Sequence, residues 1–225
     1  MTRFIVKGTR AWILTVFAVH YKGEYGMPVR LKIFFYLVLI SFFLYAFSET
    51  DRKLRYDVIR NGKVIGYLDA IRKDQGGTVE YSMESNVKVS MLLDFSLYSK
   101  VLGSFSNGFL TYGSIIRRVN GHDKANARIT WHNDRYLIQD KDESIELKEK
   151  ITYTSACLMH DEPINRLRIF SENFKRFIPI KAIKPHQYEL QLPDGNRNYY
   201  TYSNGICVSA EVNTTLTTAY FRLKN

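Results

Sequence analysis

Residues 79–97 indicate the fold class, because apolar and polar residues alternate along them. They read Val79-Glu80-Tyr81-Ser82-Met83-Glu84-Ser85-Asn86-Val87-Lys88-Val89-Ser90-Met91-Leu92-Leu93-Asp94-Phe95-Ser96-Leu97. Every odd position is apolar except Ser85, and every even position is polar except Leu92. Side chains of a β-strand point alternately to two faces, so this period predicts a strand with one buried face. Strands usually hold about 3 to 10 residues, and we therefore expect this one to bend or divide at Ser85-Asn86.

Turn signals elsewhere in the chain indicate hairpins. Five Asn-Gly or Asp-Gly pairs occur: Asn61-Gly62, Asn107-Gly108, Asn120-Gly121, Asp194-Gly195 and Asn204-Gly205. A two-residue hairpin loop of type I′ needs positive φ at both central positions, which Asn or Asp followed by Gly adopts at little cost. These pairs predict that most of the sheet is an antiparallel meander.

The first hairpin allows a prediction of register. If Asn61-Gly62 forms the loop, Val58 lies opposite Ile65 and Tyr56 lies opposite Tyr67. This register gathers an apolar set on one face of the sheet, namely Leu54, Tyr56, Val58, Ile65, Tyr67 and Ile71.

Further runs with the period of a strand bring the expected number to roughly nine to eleven. They cover residues 101–105, 109–119, 127–132, 136–139, 188–192, 197–202, 206–212 and 216–223. The charged segment 140–149 is either a turn or a weak edge strand.

The alternation is lost between Ile151 and His186, and this change predicts a different element. Pro163 stands where the first turn of a helix accepts proline. An apolar stripe at helix-like spacing follows, formed by Ile164, Leu167, Phe170 and Phe174. We therefore expect one short helix packed on the sheet.

The predicted fold class is all-β and mainly antiparallel. Long amphipathic strands twist and coil, and one domain buries their apolar faces most easily by curling. We expect a strongly curved meander sheet, half-barrel or barrel, with one short helix. A sandwich of two sheets is the competing fold.

Residues 27–48 have the pattern of an export signal. A basic start with Arg30 and Lys32 precedes an uncharged apolar run, residues 33–47, that is shorter than the roughly 20 residues of a membrane-spanning helix. Ala46 and Ser48 are spaced as signal peptidase requires for cleavage before Glu49. The sequence predicts a protein exported to the periplasm or cell envelope. An uncleaved amino-terminal membrane anchor is the alternative.

This interpretation divides the chain into three parts. Residues 1–26 precede the predicted signal, and we interpret them as a mis-annotated upstream extension of the reading frame. Residues 49–225 are expected to form a single β domain. The net charge of the whole chain is +10, but six of its 32 basic residues and one of its 22 acidic residues lie before residue 49. The net charge of the predicted domain is therefore about +5, with both signs interspersed, which argues against nucleic acid as a partner.

The opening of the predicted domain carries a resemblance to a protein family. The run Tyr56-Asp57-Val58-Ile59-Arg60-Asn61-Gly62-Lys63-Val64-Ile65-Gly66 resembles the start of an exported bacterial β-rich family of unknown function, with its Tyr-Asp-Val strand, Asn-Gly turn and Ile-Gly pair. Similar features are Glu162-Pro163, Ile169-Phe170-Ser171-Glu172 and the Tyr-rich strand before Asn204-Gly205. The resemblance covers about residues 52–224. It implies an envelope protein without an established activity, so it assigns no catalytic residues.

Local motifs for chemistry are few. The sequence contains no phosphate loop, nucleophile elbow, Cys-x-x-Cys pair or His-Glu-x-x-His helix, so we expect no cofactor and no metal site. His160-Asp161-Glu162 groups three potential metal ligands or acid/base residues. Consecutive side chains diverge and a proline follows, so a solvated turn or helix cap is the simpler interpretation. An envelope hydrolase would use His160 or His186 with a nearby carboxylate.

Aromatic residues concentrate in the last strands, at Tyr199, Tyr200, Tyr202, Tyr220 and Phe221. Aromatic side chains pair across strands, and such packing is one interpretation. The other is a ligand-binding wall at the mouth of a curved sheet. Cys157 and Cys207 are the two cysteines, and they either form a disulfide or remain separate thiols, since sequence does not determine their distance.

The functional prediction follows from these features. We expect a non-catalytic envelope protein that binds an apolar small molecule, a lipid or an envelope protein partner through its curved, aromatic-lined sheet. The hydrolase described above and a purely structural envelope component are the alternatives.

Overall fold

A computed structural model describes residues 50–89, 95–141, 143–214 and 217–224, and the predictions for residues 1–48 lie outside this part. The first eight strands are β1 (Thr50–Arg60), β2 (Lys63–Gln75), β3 (Thr78–Val89), β4 (Phe95–Ser106), β5 (Phe109–Val119), β6 (His122–His132), β7 (Arg135–Asp140) and β8 (Glu143–Leu147). The other six are β9 (Arg168–Ser171), β10 (Arg176–Lys184), β11 (Gln187–Gln191), β12 (Arg197–Ser203), β13 (Ile206–Asn213) and β14 (Thr218–Leu223). Residues 148–167, between β8 and β9, are called the inner connection below.

All fourteen strands belong to one antiparallel sheet. Strands β1 to β8 form one meander and β9 to β14 form a second, and the two meanders join where β14 pairs with β1. The terminal strands of the sheet are β8 and β9, and β8 is the edge strand that the charged segment 140–149 allowed. The predicted curved antiparallel meander is confirmed, and the two-sheet sandwich is wrong because every strand shares one sheet.

Four of the five predicted turns have the backbone that a type I′ hairpin requires. Asn61 and Gly62, for example, have φ values of 49° and 74°. Asp194-Gly195 differs, since only Gly195 has positive φ, and it lies in a longer loop between β11 and β12. The β6–β7 turn was missed because Asn133 and Asp134 adopt positive φ without a glycine.

The register predicted for the first hairpin is wrong by one residue. Tyr56 lies opposite Leu68, because a bulge between Val58 and Ile59 shifts the pairing of β1 with β2. Tyr67 is consequently exposed, whereas Leu68 turns toward the core. A bulge inserts one residue and reverses the faces beyond it, so a register derived from the turn alone fails there.

The long alternating stretch divides as expected, but the predicted place is wrong. It forms β3 and β4, which pair antiparallel with Val87 opposite Leu97. Ser85 stays within β3, in register with Leu68 on one side and Ser99 on the other. The alternation continues through both strands because their odd positions face the same interior.

The predicted short helix is wrong. The helical element in the described residues is one 3₁₀ turn, Ser155–Cys157. No helix among the described residues is long and apolar enough to cross a bilayer. The proposed stripe is broken at Asn165, whose φ of 57° is left-handed, and Ile164 and Leu167 are 60% and 85% exposed. Phe170 instead lies in β9, opposite Phe177 of β10.

The inner connection fills the concave side of the sheet. Residues Ala156 to Met159 are buried and belong to the same apolar core as side chains from both meanders, and His160 is buried beside them. The Tyr56 hydroxyl donates to the carbonyls of Cys207, at 2.8 Å, and Met159, at 3.3 Å. The Tyr202 hydroxyl donates to the carbonyl of Leu158 at 2.9 Å. The interior is therefore closed by the chain itself.

The connection also links distant strands. The Leu110 amide of β5 donates to the Ile151 carbonyl at 2.7 Å, and the Phe170 amide of β9 donates to the Tyr153 carbonyl at 3.0 Å. An ion pair between Lys175 and Asp140 joins the β9–β10 turn to the end of β7. These contacts hold the two meanders around a common interior.

Candidate binding site

An open cleft of about 410 Å³ lies where the inner connection emerges beside the β2–β3 and β4–β5 turns. Its walls come from β3, β4, these turns and the connection, and comprise Gly77, Val79, Tyr81, Phe105, Gly108, Thr152, Tyr153, Cys157, Asp161, Glu162, Ile164 and Arg166. Other clefts lie over strands β1 to β8, including one of about 500 Å³ beside Trp131. The first cleft is distinctive because it combines buried aromatic residues with ionisable groups of the connection.

Aromatic side chains form the deep part of the cleft. Alternation along β3 and β4 places Tyr81 and Phe105 on the inner face, where their rings meet edge to face at 5.6 Å. Tyr153, from the connection, is also buried, and burial raises the pKa of its phenol well above the usual range. The Tyr153 phenol is therefore neutral at pH 7, and the three rings form the floor of the cleft.

Asp161 ties the connection to β2 and β3. The Tyr81 hydroxyl donates to Asp161 Oδ2, and Arg72 Nη1 lies 3.4 Å from Oδ1. The Tyr153 hydroxyl donates to the backbone carbonyl of Asp161. Burial and then the bond to Asp161 raise the pKa of Tyr81 above its usual value. The carboxylate is thus occupied by groups of the protein.

Glu162 anchors a second polar cluster on β11. The Tyr188 hydroxyl donates to its Oε1 at 2.8 Å, and His186 Nδ1 lies 3.1 and 3.2 Å from the two oxygens. The Glu162 side chain is 5% exposed and that of His186 is 65% exposed. Burial and then Glu162 raise the pKa of Tyr188 to about 12. A carboxylate that orients a histidine is one half of an acid/base relay.

His160 is buried, unlike the solvated turn expected from the sequence. Its ring lies 6.2 Å from the Tyr81 ring, and both ring nitrogens are buried. Burial lowers the pKa of His160 to about 4, although the charge of Asp161 opposes this shift. The imidazole is therefore neutral at pH 7. Of the two histidines considered for a hydrolase, His186 is the one that contacts a carboxylate in the described chain.

The five aromatic residues of the last strands do not form one wall. Cross-strand pairing places Tyr200 and Phe221 in one row, and Tyr199 and Tyr220 in the neighbouring row. Because adjacent residues of a strand face opposite sides, the rows lie on different faces of the sheet. Tyr200 and Tyr202 are buried, whereas Tyr220 is 42% exposed.

The two cysteines are separate thiols in the structure, and both are buried. Cys157 lines the cleft and Cys207 lies in β13. Burial raises the pKa of each thiol to about 12, so neither is a ready nucleophile at neutral pH.

Glu172 is a buried carboxyl that the site analysis of the sequence missed. It accepts bonds from the Ser155 hydroxyl and, at 3.2 Å, from the Ser155 amide. Burial raises the pKa of its carboxyl above the usual value. The Ile169-Phe170-Ser171-Glu172 motif of the family resemblance contained this residue, but gave no role for it. Tyr81, Tyr153 and Arg166 were also missed, because residues far apart in sequence build the cleft.

The described residues contain no group of three His, Cys, Asp or Glu arranged to hold a metal ion. His160, Asp161 and Glu162 illustrate the reason, since their side chains are directed to the core, to Arg72 and to Tyr188 respectively.

Comparisons with known proteins give a family and a fold. Residues 56–224 match the family model described as a domain of unknown function, DUF6134. No curated protein matches the sequence. A crystal structure of a beta-barrel-like protein of the domain of unknown function DUF1849, from Brucella abortus, is similar with a TM-score of 0.50 and 9% identity. The match covers 77% of this chain and 95% of that one, and at this identity it shows a shared barrel-like fold alone.

Proposed function

This chain belongs to the family of the domain of unknown function DUF6134, and from its geometry we propose that it is a non-catalytic binding protein for an apolar small molecule. The observation that carries the proposal is the cleft of about 410 Å³ between Tyr81, Phe105 and Tyr153. Small-molecule sites usually measure about 300–1,000 Å³ and combine aromatic surface with a few polar groups. The site differs from the aromatic set of the last strands, because Leu158 and Met159 occupy the interior beside Tyr202 and Tyr56.

The mouth of the cleft supports the same proposal. Ile164 lines the cleft and is 60% exposed, and the nearby Leu167 is 85% exposed. Removal of apolar surface from water is favourable, so a ligand gains free energy when it covers an exposed apolar side chain. An apolar ligand would cover part of Ile164 on entering.

A binding measurement tests the proposal. The neutral fluorophore N-phenyl-1-naphthylamine should bind saturably at one equivalent with a rise in fluorescence. Val79→Phe adds a ring inside the cleft and should weaken binding at least about tenfold, which corresponds to about 1.4 kcal/mol. Val64→Phe makes the same change at an exposed position on β2, so its affinity should equal that of the native protein. Unsaturable binding, or equal loss in both variants, would refute the proposal.

The proposed compartment is the periplasm or cell envelope. The basic start, the apolar run and the small residues Ala46 and Ser48 support export with cleavage before Glu49. A protein expressed from Met27 in a bacterium should be recovered from the envelope fraction. Edman sequencing should find Glu49 at its amino terminus, and a mature protein that begins at Met27 would instead indicate the uncleaved anchor.

The contact between His186 and Glu162 favours hydrolysis as a second candidate function. Such a pair could activate water for attack on an ester, as a general base does. The protein would then hydrolyse p-nitrophenyl butyrate at a rate that His186→Gln abolishes and His122→Gln, a change at an exposed histidine of β6, leaves unchanged. Equal background rates in all three proteins would eliminate this candidate.

A further inference from the structure

Arg166 is the charged residue of the cleft whose ionic partner is missing among the described residues. Its guanidinium lies 4.5 Å from the centre of the Tyr153 ring, and its Nη1 donates to Thr152 Oγ1 at 3.2 Å. No carboxylate of the described chain lies within ion-pair distance of it. Its side chain is half-buried at the cleft wall.

The acidic residues of the same cleft differ from Arg166 in this respect. Asp161 is held by Arg72 and accepts from the Tyr81 hydroxyl. Glu162 accepts from the Tyr188 hydroxyl and contacts His186. Both carboxylates therefore already have donors from the protein, whereas Thr152 is the one side-chain acceptor of the Arg166 guanidinium among the described residues.

The position of Arg166 suits a bidentate anion. The Arg166 guanidinium lies over the Tyr153 ring and donates to Thr152 at the cleft wall, and its planar fork of N–H groups matches the two oxygens of a carboxylate. Ile164 lies two residues away and lines the same cleft, so apolar surface adjoins the charge. A molecule with an apolar body and a terminal carboxylate would satisfy both features at once.

We propose that the ligand of the cleft is an amphipathic carboxylate, with its apolar part against Tyr81 and Phe105 and its carboxylate on Arg166. This inference rests on the proposed binding function and adds the charge of the ligand to it. Charge-assisted hydrogen bonds are stronger than neutral ones, and a bidentate pair also fixes the orientation of the ligand.

Calorimetric titration with decanoate and decanol at pH 8 tests the inference, since the two ligands share a chain and differ in charge. Decanoate should bind at least tenfold more tightly than decanol. Arg166→Gln should reduce the affinity for decanoate to that for decanol and leave decanol unaffected. Arg166→Lys keeps the charge but loses the fork, so its affinity for decanoate should lie between those of the other two proteins.

Arg168→Gln is the matched control. Arg168 lies two residues away, pairs with Glu149 and stacks on Phe177, and it does not line the cleft. Its removal should leave both affinities unchanged, and circular dichroism should show that every variant is folded. A loss equal to that of Arg166→Gln would mean general surface charge and would overturn the inference.

The remaining outcomes separate this inference from the proposed function. Equal affinities of the native protein for decanoate and decanol would overturn the carboxylate and leave apolar binding standing. Binding of neither ligand, together with no saturable binding of N-phenyl-1-naphthylamine, would overturn both.

Discussion

The meander β1–β8 and the inner connection that follows it obtain their conformations in different ways. Residues close in sequence determine the hairpins of the meander, as the alternation along β3 and the positive φ values of Asn61 and Gly62 illustrate. The connection has no period, and its carbonyls are held by tyrosines from elsewhere, as when Tyr202 bonds Leu158 and Tyr56 bonds Met159. The sheet therefore forms from local sequence patterns, whereas long-range polar contacts position the inner connection that fills it.

Of the changes considered, a substitution of Gly66 should destabilise the protein most, because it disrupts the meander between β2 and β3. A Cβ atom there would lie 2.2 Å from the backbone oxygen of Asn86 in β3, and a backbone cannot move as a side chain does. We expect Gly66→Ala to lower the free energy of unfolding by about 3 kcal/mol or more in urea denaturation.

Gly113→Ala is the control within the same meander. Its Cβ would meet side-chain atoms of Ile129 and Leu110 at 3.3 and 3.4 Å, and these can shift slightly. Its free energy of unfolding should stay within about 1 kcal/mol of the native value. Equal losses in the two variants would contradict the close approach of β2 and β3.

The next effect concerns His160 of the inner connection, whose pKa burial lowers from 6.5 to about 4. Between these values the unfolded chain binds a proton that the folded chain excludes, so acid lowers stability. Asp161 and the backbone of Ala70 oppose the shift of this pKa, whereas Arg52 and Arg72 add to it. Above pH 6.5 the titration of His160 leaves the free energy of unfolding unchanged. As the pH falls from 6.5 to about 4, it lowers the free energy of unfolding by about 3 kcal/mol.

Chemical denaturation of the native protein and of His160→Phe measures this contribution. The phenylalanine variant lacks the titrating group, so its free energy of unfolding should fall less steeply between pH 7 and pH 4. Parallel pH profiles of the two proteins would show that His160 is not excluded from protonation.

A smaller effect tests the tyrosine contacts of the connection directly. Tyr56→Phe leaves the ring in the core and removes the donor to the Cys207 and Met159 carbonyls. The Met159 carbonyl keeps the bond from the Cys207 amide, so the main loss is the shorter bond to the Cys207 carbonyl. Removing one partner of a buried hydrogen bond costs about 1–3 kcal/mol, and we expect a loss of about 2 kcal/mol in urea denaturation. Tyr67→Phe, at an exposed position of β2, should change the free energy of unfolding by less than about 0.5 kcal/mol. A similar change in the Tyr56→Phe and Tyr67→Phe variants would count against this role of Tyr56.

The smallest perturbation compares the thiol of the connection with that of β13. Cys157 and Cys207 are both buried and free, and burial raises the pKa of each thiol to about 12. Iodoacetamide should label neither in the native protein and both after unfolding without reductant, as counted by mass spectrometry. Protein that takes up no label when unfolded without reductant, but two labels after reduction, would contain the disulfide.

The prediction of the fold from the sequence succeeded where interactions are local. Alternation and Asn-Gly turns identified the antiparallel meander, and four of five turns have the expected backbone. The register of the first hairpin failed at the bulge after Val58, and the helix failed at Asn165. In both places one residue departs from a regular period, and a pattern averaged over several residues does not detect that.

The candidate site was less predictable than the fold. The candidates from the sequence were the five aromatic residues of the last strands and the group His160-Asp161-Glu162. Of the second group, Asp161 and Glu162 line the cleft. Tyr81, Phe105 and Arg166 gave no local signal, since they lie on β3, β4 and the connection.

Side-chain period and turn chemistry are properties of neighbouring residues, so the amino-acid sequence was sufficient to predict the antiparallel β-sheet. Three features became visible only in the folded chain: the inner connection fills the sheet, His160 is buried and neutral, and Arg166 lines a cleft with Tyr153. These features depend on contacts between residues such as Tyr56 and Cys207, which are far apart in the chain. Burial sets their pKa values and hydrogen bonds, and burial exists only once the sheet has curved around the connection.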